Sequence, residues 1–231
     1  MKAEAPILMK PPLVAMALAG LKTQTRRIGG KQPAPDATFT GLDERCRAHF
    51  SDGTIWTDRY GGPGTLLWLK ENYSFGHAPN DEPDQGIACF ADGEPGAVYH
   101  PLLDPERLTW CRVFRKRSAI HMFRWAARTF FRETAIRVER VQDITDADAW
   151  AEGITGIDQN GYDLGNPSHY IGPRFRFWHL WDEINGDRGV GVATNPWVYV
   201  VSFVHEPGPH PAAGLDRTEQ TPASLAPTLF D

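Results

Sequence analysis

Four short apolar runs along the chain predict β-strands. They cover residues 6–9, 66–70, 130–141 and 197–204. Pro11 and Pro12 close the first run, a Gly-rich turn at 61–64 precedes the second, and Asn195-Pro196 precedes the last. Such turn-forming residues commonly mark the ends of strands.

Three segments carry the pattern of amphipathic helices. In the first, predicted over 12–19, apolar residues recur three to four apart after Pro12, and Gly20 ends the helix. The second begins at Thr145, which is suited to cap the helix together with Asp148, and it ends at Gly153. The third covers about 175–184 and has an aromatic stripe along one side.

The order of these elements favours an α+β fold, or a small mixed β-barrel, over a doubly wound sheet, because strands and helices do not alternate regularly. We expect one domain over 1–205, with long loop insertions at about 29–60 and 76–112. Turn signals predict a hairpin at Phe50–Trp56 and a second at 87–99. Residues 206–231 lack apolar periodicity and are predicted to be a disordered tail.

Charge and cysteine content narrow the function classes. The 231-residue chain has a net charge of −5, which argues against binding duplex DNA by bulk electrostatics. The net charge does not exclude a local basic groove, because the region 107–140 is rich in arginine, including Arg124. Three cysteines do not form a disulfide framework, and we expect a cytoplasmic protein without a membrane segment.

The segment from Gly20 to Arg27 is the strongest candidate for chemistry. It places Lys22, Arg26 and Arg27 beside the hydroxyls of Thr23 and Thr25, directly after a helix. Such a cluster can bind a phosphate, or a lysine whose pKa is lowered by burial can deprotonate a threonine hydroxyl. A solvated basic loop without function is the alternative interpretation.

The pattern Gly-x-Lys-Thr-x-Thr-x-Arg at 20–27 resembles the signature of the ASCH-domain family, relatives of the PUA RNA-binding fold. Further matching pieces follow in the order typical of a phage and prophage branch of that family. They are Pro6–Leu8, Gly64–Glu71, Ile120–Ala126, Val138–Gly153, Phe177–Gly186 and Asn195–Phe203. The sequence departs from the branch at 118–124, where Ser118-Ala119 stands in place of Pro-Ser before Ile120 and Phe123 replaces the second proline.

This resemblance implies a PUA-like mixed β-barrel that binds nucleic acid, with RNA as the leading candidate, or a nucleotide. Thr23, Arg26, Arg27, Glu71 and Arg124 are then the expected contacts to nucleic acid or phosphate. One bacterial subgroup of the family hydrolyses N4-acetylcytidine with a Lys, a Thr and a Glu, which match Lys22, Thr25 and Glu152. A phage accessory protein without catalysis is the third interpretation.

No cofactor or metal is expected. Cys46 and His49 form one short pair that can bind zinc only with Cys89, Cys111 or His100, and a strong zinc signal needs two such pairs. The oligomeric state and the identity of the ligand remain open at this point.

Overall fold

The computed structural model describes residues 4–77, 86–90 and 115–206. Its strands are β1 (Glu4–Leu8), β2 (Gln24–Arg27), β3 (Phe39–Leu42), β4 (Ala48–Phe50), β5 (Ile55–Trp56), β6 (Leu66–Lys70), β7 (Tyr73–His77), β8 (Gly86–Phe90), β9 (Arg115–Arg117), β10 (Phe130–Arg140), β11 (Tyr162–Asp163), β12 (Asn166–Tyr170) and β13 (Trp197–Glu206). Its α-helices are α1 (Pro11–Leu18), α2 (Asp146–Ala151) and α3 (Pro173–Asn185).

The four strands predicted from apolar runs are all present, and together with β2 they form the central sheet. Its order is β1-β6-β10-β13-β2. Only the pair of β1 with β6 is parallel, and the other pairs are antiparallel. The α+β class is therefore confirmed, with most of the core made by the sheet.

The expected closed barrel is wrong for the described strands, because β1 and β2 form two open edges of the sheet. Helix α1 packs on one face of this sheet: Leu13 and Ala17 share a core cluster with Ile7 of β1 and Val201 of β13. The Arg27 guanidinium also bridges the gap by donating to the Leu8 carbonyl at 2.7 Å. A helix therefore covers this face of the sheet, and one side-chain hydrogen bond links the two edge strands.

The helices form where local signals predict them. Thr145 caps α2, since its hydroxyl accepts from the Asp148 amide at 3.1 Å. The Asp148 carboxylate in turn accepts from the Thr145 amide, which completes a capping box. Gly20 follows α1 with φ +71°, a conformation that disfavours side chains. No helix in the described ranges is long and apolar enough to cross a membrane.

The first insertion is more regular than predicted. Residues 29–60 contain β3 as well as the expected hairpin, and β3, β4 and β5 form a three-stranded sheet. Phe50 and Trp56 pack against Tyr199 of β13, so the insertion gains a core of its own beside the central sheet. The sequence does not predict β3, because its threonine and glycine residues interrupt the apolar pattern typical of a strand.

The second insertion and the tail fall largely outside the described residues. Within the predicted hairpin at 87–99, only residues up to 90 are described, and they belong to β8, which pairs with β7. Residues 78–85, 91–114 and the predicted tail from 207 onward lie outside the described ranges.

A carboxyl group is buried in the central sheet. Glu133 of β10 is only 1% exposed, and among the described residues neither of its carboxyl oxygens has a hydrogen-bond partner. Burial and the nearby Asp58 carboxylate raise the pKa of Glu133 to about 8. Glu133 is therefore mostly protonated in the folded protein at neutral pH, whereas it is ionised in the unfolded chain.

The free energy of unfolding should depend on pH through this residue. Because the folded pKa is raised above 4.5, stability contributed by protonated Glu133 is present below pH 4.5 and is lost as pH rises towards 8. Glu133→Gln should leave stability at pH 5 nearly unchanged and raise it at pH 8–9 by up to about 4 kcal/mol. Urea unfolding across pH 5–9 measures this difference.

Glu183→Gln is the control for that experiment, since Glu183 is exposed. As a surface substitution it should change the free energy of unfolding by less than about 0.5 kcal/mol throughout pH 5–9. An effect of Glu133→Gln that is equally constant between pH 5 and 9 would show that the buried carboxyl ionises normally.

Candidate functional site: a buried ion-pair network at strand β2

Backbone contacts bring the candidate segment against the end of α2. The Lys22 amide donates to the Met16 carbonyl at 3.1 Å, and the Thr23 amide donates to the Ala151 carbonyl at 2.9 Å. A Cβ on Gly153 would lie 2.8 Å from the Lys22 Cβ, and Gly153 has φ +73°. Glycine at 153 is therefore required for Lys22 to pass beneath the end of α2.

The Lys22 ammonium is buried and donates to three acceptors. Nζ lies 2.7 Å from the Gln24 carbonyl, 2.7 Å from the Glu152 carbonyl and 2.8 Å from Glu152 Oε2. Lys22 is 1% exposed. Since an ammonium has only three hydrogens, these contacts satisfy it completely.

Burial lowers the pKa of Lys22 below its ordinary value, because the charged form loses solvation. The Glu152 carboxylate acts in the opposite direction through its charge and its hydrogen bond, while Arg27 and Arg26 lower the pKa further. The ammonium is therefore held chiefly by Glu152.

Glu152 also binds Arg26, so one carboxylate joins two buried cations. Arg26 Nη1 lies 3.1 Å from Glu152 Oε1, and Arg26 Nε lies 2.9 Å from Glu139 Oε1. Asp148 is 3.4 Å from Arg26 Nη2. The guanidinium packs over the Phe177 ring with its carbon 5.5 Å from the ring centroid.

Arg137 extends the network on the solvent side. Its guanidinium lies 2.9 Å from Glu139 Oε2 and 3.0 Å from Asp148 Oδ1. Burial disfavours ionisation of Asp148, but hydrogen bonding from Thr145 and the charges on Arg137 and Arg26 lower its pKa to about 2. Asp148 is therefore a stable anion at neutral pH.

Thr25 lies on the other face of β2 from this network. It stands opposite Val201, which belongs to the core cluster of β1 and α1, whereas Arg26 stands opposite Val200, which packs with Phe177. Alternate side chains of a strand point to opposite faces. Within the described residues, the Thr25 hydroxyl forms no hydrogen bond with Lys22 or Glu152.

Arg27 differs from its two cationic neighbours because its hydrogen-bond partners are neutral. It is half-buried and donates to the Tyr60 hydroxyl at 3.3 Å, the Arg26 carbonyl at 3.4 Å and the Leu8 carbonyl at 2.7 Å. In the described part of the chain, no carboxylate forms an ion pair with it. Thr23, the remaining hydroxyl of the segment, is exposed.

The other two candidate residues lie at the opposite edge of the sheet. Glu71 follows β6, is buried and forms a two-pronged ion pair with Arg128 at 2.8 and 3.1 Å. Arg124 binds the Glu4 carboxylate at 2.8 Å and covers the Phe130 ring. The structure therefore joins Lys22, Arg26 and Glu152, and it holds Glu71 and Arg124 in separate ion pairs.

The zinc alternative has no support from the described residues. His49 Nε2 lies 3.2 Å from Asp43 Oδ2, and no group of three possible metal ligands is found in these residues. His100 and Cys111 lie outside the described ranges.

Sequence reasoning missed Glu139, Asp148 and Arg137 as members of the network. Asp148 was interpreted only as a helix cap, although a carboxylate can accept from several donors at once. The alternation of charges at 137 and 139 in β10 places both side chains on one face, and this is the signal from which the network could have been found.

Comparisons with protein-family models, with curated proteins and with solved structures found no match to the chain. The resemblance to the ASCH-domain family therefore remains a prediction.

Removing either partner of the buried pair Lys22–Glu152 should lower the free energy of unfolding by much more than an exposed ion pair contributes to it. Lys22→Met removes one of the two cations that pair with Glu152. Glu152→Gln leaves the Lys22 ammonium buried without its carboxylate partner. Each should lower the free energy of unfolding by about 3 kcal/mol, and the double variant should cost clearly less than their sum. Urea unfolding of all four proteins measures the coupling.

Arg174 and Asp146 provide the matched control, since their ion pair at 3.0 Å is more than half exposed on both sides. The same cycle there should give a coupling of about 0.5 kcal/mol or less. A coupling that small for Lys22 and Glu152 would mean that solvent reaches the pair.

Proposed function

We propose that the protein binds nucleic acid, with RNA as the leading candidate, or a nucleotide. We also propose that Arg27 contacts a phosphate of this ligand. The observation that carries this proposal is the division of charge within the segment 22–27. Lys22 and Arg26 are neutralised by buried carboxylates, whereas Arg27 is held by neutral oxygens. Its charge and its remaining N–H donors are available to an anion.

A guanidinium held in this way is suited to phosphate. The Tyr60 hydroxyl and the Leu8 carbonyl fix its orientation, so little side-chain freedom is lost when an anion binds. Planar N–H pairs match two oxygens of a phosphate.

A second cationic residue belongs to the strand beside Leu8. Lys70 stands directly opposite Leu8 in the pair of β1 with β6. Its ammonium donates to the Ile120 carbonyl and lies 5.6 Å from the centre of the Trp68 ring. Lys70 thus adds a cation with neutral partners to this end of the sheet, and local positive charge is what an acidic protein needs to bind a polyanion.

The resemblance to ASCH and PUA-like proteins supports the same assignment, since it was found from sequence and implies RNA binding. The mixed sheet with a helix packed on one face is compatible with such a domain. The motif match and the neutral hydrogen-bond partners of Arg27 both point to this residue, the first from sequence and the second from its contacts.

Arg27→Ala should weaken binding of a single-stranded RNA about tenfold at 0.1 M salt. It should also reduce the slope of log affinity against log salt concentration by about 0.7 for each lost phosphate contact. Arg27→Lys should keep most of the slope, because it keeps the charge. Fluorescence anisotropy with labelled RNA and DNA strands, titrated at several salt concentrations, measures both quantities.

Arg45→Ala removes the same charge from an exposed loop and serves as the control. It should change affinity less than twofold. Wild-type protein that binds neither strand nor a nucleotide, or that binds without any dependence on salt, would contradict the proposal.

Hydrolysis of an acylated nucleoside such as N4-acetylcytidine is the second candidate. It is favoured by the 2.8 Å contact between Lys22 and Glu152 together with the lowered pKa of Lys22, which a general base requires. In such a reaction water cleaves the amide, and acetate and cytidine are released in equal amounts. Hydrolysis is the second candidate because Thr25, its nucleophile, lies on the face of β2 opposite to the network of Lys22 and Glu152.

Mass spectrometry of a reaction with N4-acetylcytidine tests the hydrolase. If Thr25 is the nucleophile, Thr25→Ala should reduce turnover at least a hundredfold and Thr25→Ser should retain part of it. Thr57→Ala is the control, since Thr57 is an exposed threonine outside the segment 20–27. Absence of acetate release by the wild-type protein removes this candidate but leaves the binding proposal intact.

A further inference from the structure

A two-stranded hairpin, β11 and β12, carries a pair of exposed aromatic rings. Tyr162 and Tyr170 stand directly opposite each other, with ring centroids 5.5 Å apart and planes at 74°. They are 40% and 57% exposed, and every residue of β12 is exposed. The rings therefore contact each other without being covered by the described part of the chain.

The backbone around these rings is fixed by glycines. A Cβ on Gly161 would lie 2.8 Å from the Tyr170 ring, and a Cβ on Gly172 would lie 3.2 Å from its hydroxyl. The amides of Ile171 and Gly172 donate to the Gly161 carbonyl at 2.9 and 3.0 Å. Because the Tyr170 ring rests on backbone, it can bind a flat partner with little loss of conformational freedom.

Helix α3 follows the hairpin directly and adds positive charge, since the Arg176 amide donates to the Gly172 carbonyl at 3.1 Å. Phe175 in its first turn is 53% exposed, and that turn contains no acidic residue. The Arg176 Nε donates to the Thr155 carbonyl at 2.6 Å, and no carboxylate of the described residues pairs with Arg176. We call Tyr162, Tyr170, Phe175 and Arg176 the aromatic hairpin surface.

The two carboxylates of the hairpin are occupied by its own backbone. Asp158 accepts from the amides of Asn160 and Tyr162, both at 2.9 Å, and Asp163 accepts from the Gly165 amide at 2.8 Å. Part of their negative charge is therefore compensated locally. Arg176 and the start of α3 then give the surface its attraction for an anion.

We propose that the aromatic hairpin surface stacks bases of a single-stranded nucleic acid. Stacking on aromatic side chains with a nearby cation for the backbone is the usual arrangement for single strands, whose bases are free to unstack. A protein partner would be expected to find a continuous apolar groove, whereas these rings end in hydroxyls and lie beside an arginine. The proposal rests on the proposed function, since it extends the phosphate contact at Arg27.

The surface lies on a path that leads back to Arg27. Arg176 lines a small depression together with Pro12 and Leu13 at the start of α1. Only three residues separate Pro12 from Leu8, whose carbonyl accepts from Arg27 at 2.7 Å. A strand that passes the start of α1 can therefore reach both positions.

Tyr170→Ala and Tyr162→Ala should each weaken binding of a single-stranded RNA of about 12 nucleotides by roughly 5- to 100-fold. The salt dependence should stay as in the wild type, because no charge is lost. Tyr170→Phe should bind normally, since it keeps the ring. Leu164→Ala is the matched control, because Leu164 is an exposed, non-aromatic residue of the same hairpin.

Strands that lack bases at chosen positions separate this proposal from the proposed function. If bases stack here, the wild type should lose affinity for an abasic strand, and Tyr170→Ala should not weaken that strand further. Equal affinity for normal and abasic strands, with an effect of Arg27→Ala retained, would overturn the stacking surface and leave phosphate binding standing.

Two further results would count against the stacking surface. Absence of binding by the wild type would remove both proposals together. A change of molar mass in light scattering for the tyrosine variants, with unchanged RNA binding, would assign the surface to self-association instead.

Discussion

The arrangement of the site depends on the burial of one ammonium group. Lys22 Nζ contacts the Gln24 carbonyl at the outer edge of β2, and it contacts Glu152 at the end of α2 through both the carbonyl and the carboxylate. The Thr23 carbonyl accepts from the Phe203 amide, so the Gln24 carbonyl points away from β13 and would otherwise be unpaired. The lysine thus satisfies the edge of the sheet and fixes α2 against it.

Such a group is tolerated only if its charge is compensated, because desolvation of an unpaired ion costs several kcal/mol. The network contains three cations, Lys22, Arg26 and Arg137, and three carboxylates, Glu139, Asp148 and Glu152. Its charges therefore balance internally. Arg27 lies outside this balance, and for that reason the proposed contact to an external anion is placed at Arg27 rather than at the more deeply buried cations.

Local signals predicted the elements, and they failed where distant segments meet. The cap at Thr145, the stop at Gly20 and the apolar strands depend on neighbouring residues, and they were found. The sheet order and the contact of Arg26 with Glu139, 113 residues away, depend on tertiary packing that no window of sequence contains. The pairing of Lys22 with Glu152 was suggested only by resemblance, and β11 and β12 are too short and too polar to show a strand pattern.

The alternation of side chains along β2 gives different support to the two proposed functions. Four residues of β2 are paired with β13, and this register holds Arg26 towards Glu152 and Thr25 towards the core beside Val201. Transfer of a proton between Lys22 and Thr25 would require the strand to twist or to leave β13, with loss of several backbone hydrogen bonds. Phosphate binding by Arg27 requires no such change, since the guanidinium keeps its contacts with Leu8 and Tyr60 and uses its remaining donors. The same backbone register therefore favours binding and opposes catalysis.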